Sequence, residues 1–357
     1  MRFHWTRGPK PPSAAQRTGR GADPDPDPDR EFLISVYRRM LGREPDAEGL
    51  ESHLRALREG RPRAELVLDF AASPEFVHRT VKDNLAAYLD PLPIRDERPE
   101  LYGVERRKGG TDRVRVFRAA VSADYDWLER RIVENGYYER PGVWSFLIDE
   151  DKRMMAEIAR DLGARTVLDF GCANGGVLKC LRDLGIDGEG VEISRLALSK
   201  APPEVLGSIH LGDLLSLDLP RRYDLAFGLD IFEHLNPNRL AAYVGRLHEV
   251  IREGGRLFAN VPAFGDDRVF GEIFNIDLDS WDEDVASGRS FRSIPVDDYG
   301  YPKNGHLVCA GTDWWVGLFE RAGFRRDPAA ERDIHGRYDE AMGATPARKA
   351  FYLFFRG

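Results

Sequence analysis

The sequence predicts an α/β fold, in which a seven-stranded, mostly parallel sheet carries helices on both faces and a small all-α domain precedes it. From residue 165 onward, short apolar runs alternate with amphipathic helical segments. Such alternation is typical of a parallel sheet covered by helices. Between residues 31 and 80, apolar residues recur at helical spacing instead. The last apolar run, Phe351 to Phe355, is short enough to be a strand that closes the sheet.

Composition limits the class of protein and its surroundings. The 357 residues are enough for about two domains. The net charge of -8 argues against a nucleic-acid binder that relies on neutralising phosphates. There is no apolar run of signal-peptide or transmembrane length, and the three cysteines form neither a metal-binding pattern nor a disulfide framework. We therefore expect a cytoplasmic protein that has no transmembrane segment and does not bind nucleic acid.

The chain divides into four predicted regions. Residues 1–30 contain an alternating Asp-Pro repeat, which predicts a disordered tail because prolines lack donors and the aspartates repel each other. Residues 31–80 form a helical accessory domain, and residues 81–135 form a linker and a helical cap. The α/β domain occupies residues 136–357, with a long insert at about 262–304 that predicts a lid or a binding wall.

The accessory domain has recognisable helix boundaries. Gly42 is suited to end its first helix, and Pro45 with Asp46 to begin the second. The string LGREPDAEGLESHLRAL and the closing SPEF resemble a bacterial domain of unknown function that is related in fold to phycobilisome linkers. That domain recurs beside glycan-handling and envelope enzymes. The resemblance implies a contact with another protein through residues 31–80, and no residue there has an evident chemistry.

The stretch VLDFGCANGG, residues 167–176, is the first candidate binding site. A loop that follows the first strand of a parallel sheet lies at the carboxyl edge, where ligands bind. Its glycines allow the backbone to approach a ligand closely. The Asp169 carboxylate, just before the turn, could receive an ammonium group or the water shell of a charged ligand. A nicotinamide site would require G-x-G-x-x-G, which this loop does not contain.

Acidic residues also end the next three strands. Glu192 closes the second strand about twenty residues after the loop, where an acid can reach both hydroxyls of a ribose. Asp213 follows the third strand, where the acid and the next amide can contact an adenine edge. Asp230 ends the fourth strand beside the same crevice. Taken singly, each acid could instead be a helix cap, a solvent-facing strand end or a turn residue.

In this order the four motifs resemble those of the class I S-adenosylmethionine-dependent methyltransferases, over roughly residues 140–357. The resemblance implies the Rossmann-like fold of that class. The resemblance implies that S-adenosylmethionine is the cofactor. It also implies the cofactor-binding residues Asp169, Gly171, Cys172, Ala173, Asn174, Gly175, Glu192, Ile193, Asp213, Leu214 and Asp230. Ala173 stands where the family usually has a second glycine. Alanine is tolerated at this position if its backbone angles are ordinary.

Two histidines are candidate catalytic residues. Methyl transfer to a hydroxyl requires a group that accepts a proton, and histidine titrates near neutrality. His234 follows the fourth strand, and His306 lies in the sequence Asn-Gly-His-Leu after the insert. His306 could alternatively have only a structural role.

The same histidines are also part of a metal hypothesis. Asp230, Glu233 and His234 stand at i, i+3 and i+4, which places them on one face if a helix begins there. The pattern Asp-x-x-Glu-His resembles the metal-binding motif of some small-RNA and quinone-pathway O-methyltransferases. The resemblance implies Asp230, Glu233, His234 and His306 as ligands of Mg²⁺ or Zn²⁺. Related enzymes that carry Glu-His-Leu without a metal provide the alternative, in which the pair shapes the pocket.

The insert suggests a substrate. Its aromatic residues and acids suit a sugar, whose ring faces stack on aromatic groups and whose hydroxyls donate to carboxylates; a solvated lid would have the same composition. The resulting prediction is O-methylation of a sugar hydroxyl in glycan or nucleotide-sugar metabolism. A small-molecule or natural-product methyltransferase is the alternative. A non-catalytic scaffold on a methyltransferase fold is the alternative of another class.

Overall fold

The computed structural model describes residues 27–41, 43–73, 75–76, 93–140, 145–263 and 277–357. The chain divides into two units, Met1–Phe76 and Val77–Gly357. Most of the predicted tail, residues 81–92 of the predicted linker, and residues 264–276 of the insert lie outside the described residues. Within the described part of the chain, no helix is both long enough and apolar enough to cross a membrane.

The first unit is helical, as predicted. Its elements are α1 (Pro28–Val36) with a π-helical turn (Tyr37–Leu41), α2 (Ala47–Arg58) and α3 (Arg63–Ala72). Helix α1 begins three residues before the predicted start, because the Asp27 side chain caps it by accepting from the Asp29 N–H at 3.0 Å. Asp46 caps α2 in the same way through the Gly49 N–H at 2.8 Å, as the sequence indicated. Four buried leucines form the core, Leu33, Leu50, Leu54 and Leu66.

The second unit contains the α/β domain. Its described strands are β1 (Tyr102–Arg106), β2 (Arg113–Arg118), β3 (Thr166–Phe170), β4 (Asp187–Glu192), β5 (Ile209–Leu211), β6 (Tyr223–Leu229), β7 (Ile251–Asn260), β8 (Ser293–Pro295), β9 (Phe324–Arg326) and β10 (Phe351–Arg356). Its described helices are α4 (Ser122–Glu134), α5 (Glu150–Asp161), α6 (Gly176–Asp183), α7 (Arg195–Ser199), α8 (Pro203–Leu206), α9 (Pro237–Val250), α10 (Trp281–Ala286), α11 (Thr312–Arg321) and α12 (Pro328–Tyr338).

The predicted fold class is confirmed. Seven strands form one sheet in the order β5-β4-β3-β6-β7-β10-β9. The first five are mutually parallel, and β10 runs antiparallel to both β7 and β9. The carboxyl ends of β3, β4, β5, β6 and β7 therefore lie along one edge of the sheet.

Strand β7 contains a glycine pair at a place where the sequence predicts a helix end. The apolar pattern from Arg239 to Arg252 predicts a helix that Gly254 and Gly255 end, but helix α9 stops at Val250 and β7 begins with the next residue. Ile251 pairs with Tyr223, whereas Leu225 pairs with Arg256, so the extra residues in β7 form a bulge. Gly254 has a φ of 71°, a conformation that glycine adopts without steric cost. The glycine pair thus marks an irregularity within the strand.

Part of the predicted linker forms a second sheet. Strands β1 and β2 pair antiparallel, and β8 from the insert adds to β2. The sequence Arg-Val-Arg-Val-Phe of β2 buries Val114, Val116 and Phe117, while Arg113 and Arg115 are exposed. This alternation is typical of a half-buried strand. The charged run from Arg95 to Arg107 is typical of a linker, which is why the sequence does not predict this sheet.

Candidate functional site

A cavity of about 340 Å³ opens at the carboxyl edge of the large sheet. Of the predicted cofactor-binding residues, the structure brings together Asp169, Gly171, Cys172, Ala173, Asn174, Glu192, Ile193, Asp213, Leu214 and Asp230 in its lining. Gly175 does not line it. Instead, Gly175 precedes α6 with a φ of 73°, and a Cβ there would lie 3.0 Å from Ile209. Its role in the structure is to allow the turn into α6.

Asp169 is buried at the end of β3, with 2% of its surface exposed. Burial raises the pKa of its carboxyl to about 7, and the Arg348 charge acts in the opposite direction. A carboxylate that loses so much hydration favours a cationic partner. The cavity wall at Asp169 is therefore suited to a positively charged ligand group.

Glu192 joins the glycine loop to the end of β4. Its Oε1 accepts from the N–H groups of Ile193 and Ser194, both at 2.7 Å, and its Oε2 accepts from the Ala173 N–H at 2.9 Å. Burial nevertheless raises the pKa of Glu192 to about 7, and the three N–H groups only partly offset that effect. The three donors hold both oxygens of the side chain at the cavity wall.

The condition under which alanine is tolerated at position 173, ordinary backbone angles, is not met. The φ of Ala173 is 48°, in the left-handed region, where a non-glycine residue costs about 1–2 kcal/mol. The hydrogen bond from its N–H to Glu192 helps to hold this conformation. The family's usual glycine would avoid the cost, so Ala173 is a local departure that the surrounding contacts stabilise.

Asp213 lies at the predicted adenine side, although its carboxylate already has protein partners. Oδ1 accepts from the Leu215 N–H at 3.0 Å, and Oδ2 pairs with Arg239. The Arg239 guanidinium lies 5.1 Å from the centroid of the Tyr243 ring, which lines the same cavity. An adenine edge would therefore meet an ordered carboxylate beside an aromatic ring.

The segment before the α/β domain supplies a wall that the sequence did not assign to particular residues. Glu129 and Val133 of α4 line the cavity together with Tyr138. Glu139 connects this wall to the end of β4, since its carboxylate accepts from the N–H groups of Arg195 at 2.9 Å and Leu196 at 2.8 Å. The sequence signal for this wall is the density of aromatic residues after Ala123, which more often reflects packing and does not specify which residues face a cavity.

His234 is brought to the cavity, as the candidate catalytic role requires. Its Nδ1 lies 3.2 Å from the Gly305 carbonyl, and a carbonyl can only accept, so Nδ1 carries the proton and Nε2 keeps its lone pair. Burial lowers the pKa of His234 to about 4. Gly305 allows this contact, because a Cβ at that position would lie 2.9 Å from Nδ1.

His306 lies behind His234 and does not line the cavity. The centroids of the two rings are 5.0 Å apart and the rings are nearly perpendicular. The carbonyl of Glu233 accepts from the N–H groups of Leu307 at 2.7 Å and Val308 at 3.0 Å, which places His306 Nε2 4.0 Å from Glu233 Oε1. Burial lowers the pKa of His306 well below its usual range and raises that of Glu233 well above its own.

The four-ligand metal hypothesis is only partly matched by the geometry. One ligand atom from each of Glu233, His234 and His306 lies within 4.8 Å of the others. Asp230 is not in this group, and its Oδ2 accepts from Arg348 at 2.6 Å. The predicted common helical face does not form, because Asp230 has a left-handed φ of 52° and only a 3₁₀ turn, Phe232–His234, follows.

The described part of the insert does not line the cavity. Trp281 is 1% exposed, and its indole N–H donates to the Ser293 carbonyl at 3.0 Å. Asp279 pairs with Arg106, and Asp284 pairs with Arg289 and Arg292. In residues 277–304 the alternation of acids and aromatics therefore reflects packing and ion pairs, both within the insert and with the small sheet. The sequence pattern alone could not distinguish this from a sugar-binding wall.

Comparison with known proteins agrees with this architecture. The model of a family described as "Methyltransferase domain" matches residues 140–327, which is more than half of the chain. The chain belongs to this methyltransferase family. Separately, residues 21–80 match a domain of unknown function (DUF4214). The proposed relation of that domain to phycobilisome linkers remains a prediction.

Individual relatives of this chain are distant. Uncharacterized methyltransferases of Bacillus thuringiensis and Bacillus cereus are 28% identical over 137 residues, which is 37% of this chain and 58% of theirs. The chain thus spans less than two thirds of the length of these relatives. Streptomyces venezuelae DesVI is 17% identical with a TM-score of 0.39, covering 58% of this chain and 93% of DesVI. CalS10, an amino pentose methyltransferase from Micromonospora echinaspora, is 18% identical with a TM-score of 0.41, covering 63% of this chain and 97% of CalS10.

Proposed function

We propose that this methyltransferase transfers the methyl group of S-adenosylmethionine to a hydroxyl of a sugar, either nucleotide-linked or within a glycan. The observation that carries the choice of a hydroxyl is His234, a neutral imidazole in the cavity lining with its tautomer set by Gly305. A hydroxyl acceptor must lose a proton, and His234 Nε2 has the lone pair to take it.

The reaction requires little else from the protein. The C–S bond of the sulfonium breaks as the C–O bond to the acceptor forms, and S-adenosylhomocysteine leaves with a neutral sulfur. The hydroxyl proton passes to His234 Nε2. The protein aligns the three atoms and excludes water, and Tyr138 and His234, whose ring centroids lie 6.5 Å apart, belong to the wall that does so.

An acceptor screen tests the proposal. Nucleotide sugars, oligosaccharides and non-sugar hydroxyl compounds would each be incubated with S-adenosylmethionine, and release of S-adenosylhomocysteine would be measured. Transfer to sugars supports the proposed substrate. Transfer only to non-sugar acceptors would favour a natural-product methyltransferase. Binding of S-adenosylmethionine without turnover on any acceptor would indicate the non-catalytic scaffold.

Replacing His234 by Gln is expected to lower kcat by roughly 100-fold or more, because general-base catalysis contributes about 10²–10⁴-fold. S-adenosylhomocysteine affinity should change far less. With a pKa of about 4, His234 stays neutral above about pH 5 and loses its capacity to accept a proton only as the pH falls through about 4. Turnover of the variant would be compared with that of His335→Gln, which lies outside the cavity lining. Equal turnover in both variants would contradict the proposed base.

A divalent metal is a second candidate for the same cluster, and one observation favours it. Glu233 Oε2 is buried and has no hydrogen-bond partner among the described residues. One carboxylate and two imidazoles are ligands that zinc accepts, and they suit magnesium less well. Glu233, His234 and His306 would hold the ion, which would act as a Lewis acid on the acceptor oxygen.

Removing divalent metals with a chelator distinguishes the metal site from the general-base role of His234. If a metal is required, dialysis against EDTA should abolish turnover, and Zn²⁺ should restore it to the wild type but not to His306→Ala or Glu233→Gln. Full turnover after EDTA would exclude the metal and leave His234 as the base. Full turnover of both variants would remove His306 and Glu233 from the chemistry.

A further inference from the structure

Arg348 lies in the cavity wall although it is far in sequence from the glycine loop. It belongs to the 3₁₀ turn Pro346–Lys349 just before β10, and 13% of its side chain is exposed. A buried guanidinium is costly unless its N–H groups are paired. Arg348 therefore needs polar partners in this cavity wall.

Three polar side chains hold the guanidinium. Nε donates to Asp151 Oδ1 at 2.9 Å and Nη2 donates to Asp151 Oδ2 at 3.1 Å. Nη1 donates to Asp230 Oδ2 and to Asn260 Oδ1, both at 2.6 Å. An arginine has five N–H donors, so these bonds leave one Nη2 N–H without a partner among the described residues.

The partners also fix the position of Arg348. Asp151 lies in the first turn of α5, Asp230 follows β6, and Asn260 ends β7. Asn260 in turn donates to the carbonyls of Ala347 at 2.9 Å and Ala350 at 2.8 Å, on either side of Arg348. The guanidinium is thus held between elements of the sheet edge, with its orientation determined before any ligand arrives.

The position in the sheet indicates what Arg348 would meet. Glu192 ends β4 and Asp213 follows β5, on one side of strand β3, whereas Asp230 follows β6 and Asn260 ends β7 on the other side. If the ribose and adenine lie on the first side, the amino-acid end of the cofactor extends toward the second. That end carries an ammonium and a carboxylate, which match the Asp230 carboxylate and the Arg348 guanidinium in charge.

We propose that Arg348 is a cofactor-binding residue whose remaining N–H donates to the carboxylate of the methionine moiety, while Asp230 accepts from its ammonium group. This inference rests on the proposed use of S-adenosylmethionine and identifies the part of the site that recognises its amino-acid end. Lys152, which also lines the cavity and lies 3.7 Å from Asp151, adds positive charge to the same wall.

Two ligands that differ only in the amino-acid end test the proposal. Calorimetry would measure binding of S-adenosylhomocysteine and of 5′-methylthioadenosine, which lacks the carboxylate and the ammonium. In Arg348→Lys, affinity for S-adenosylhomocysteine should fall by about 10- to 100-fold, the range for one charge-assisted hydrogen bond, while affinity for 5′-methylthioadenosine stays the same. Asp230→Asn should show the same selectivity.

The ratio of the two affinities separates recognition from structural damage. A distorted cavity would lower the affinity for both ligands equally. That result, or no change in either affinity, would overturn the proposal. Arg326→Lys is the matched control, because Arg326 also holds a carboxylate, Glu331 at 2.9 Å, but lies outside the cavity lining. A wild-type protein that binds neither ligand would contradict the cofactor assignment itself. If the wild type binds S-adenosylhomocysteine more tightly than 5′-methylthioadenosine and Arg348→Lys leaves that preference unchanged, only this inference is contradicted.

Discussion

Replacing Asp169 by Asn is expected to stabilise the free protein above pH 7 while weakening its binding of the cationic cofactor. Burial raises the pKa of Asp169 to about 7 from an ordinary value of 3.8. Between about pH 4 and 7 the folded protein therefore holds a proton that the unfolded chain has released, so stability falls as the pH rises through this window. Above it the carboxylate remains charged and poorly solvated, and asparagine removes that cost.

The size of the stability change in Asp169→Asn follows from the pKa shift of Asp169. At 1.36 kcal/mol for each pKa unit, the free energy of unfolding should rise by roughly 2–4 kcal/mol at pH 8 and change little at pH 4. Urea denaturation from pH 4 to 8 measures it. The exposed Asp218→Asn provides the control. A constant difference between Asp169→Asn and the wild type across that range would contradict the raised pKa.

The same substitution should reduce cofactor binding, because the neutral amide no longer attracts a positive charge. We expect affinity for S-adenosylmethionine to fall by about 10- to 100-fold. Calorimetry at pH 8 measures this directly. Unchanged affinity would show that Asp169 is buried for a structural reason alone.

Replacing Glu192 is expected to have the largest effect on cofactor binding. Its two oxygens accept from three backbone N–H groups, and a ribose diol would donate to the same carboxylate. In Glu192→Gln the amide nitrogen must face either Ala173 N–H or the pair at Ile193 and Ser194, so two donors oppose each other. An unsatisfied buried donor costs about 1–3 kcal/mol, and with the lost ribose contacts we expect affinity to fall by roughly 100-fold or more.

The raised pKa of Glu192 should make cofactor affinity depend on pH. Since the free carboxyl titrates near pH 7, affinity for S-adenosylhomocysteine should decline below that pH, where the protonated group no longer accepts from both hydroxyls. Glu192→Gln should show a weaker decline. Calorimetry from pH 5.5 to 8.5 tests both statements.

Glu189→Gln is the matched control for Glu192. The residue lies on the same strand and is held by His210 and Tyr223, each at 2.8 Å, but it does not line the cavity. It should lower stability and leave cofactor affinity unchanged. Equal losses of affinity in the two variants would show that Glu192 acts only through the integrity of β4.

The strand ends could be predicted because local patterns specify them. Thr166–Phe170 and Tyr223–Leu229 are apolar runs between polar turns in the sequence, and both are strands in the structure. Once such strands are parallel, their carboxyl ends share one edge, and Asp169 and Glu192 must lie near each other there. The cofactor side of the cavity therefore follows from the order of strands and acids.

The cavity residues that no sequence motif marks come from other parts of the chain. Arg348 precedes the last strand, and Tyr138 precedes the first strand of the large sheet; neither has a motif around it that indicates a ligand. The separation of Asp230 from the Glu233 cluster also depends on a left-handed residue and a short 3₁₀ turn, which residue spacing does not specify. These features arise from contacts between distant segments.

The fold class, the glycine turn and the acids at the strand ends follow from the sequence alone, because each depends on residues close together in the chain. Three features become evident only in the folded chain: His306 lies behind His234, Glu129 and Tyr138 form a wall of the cavity, and Arg348 joins Asp151, Asp230 and Asn260. Burial and ion pairing depend on which distant elements pack together, and those properties give the site its charges and its proton acceptor.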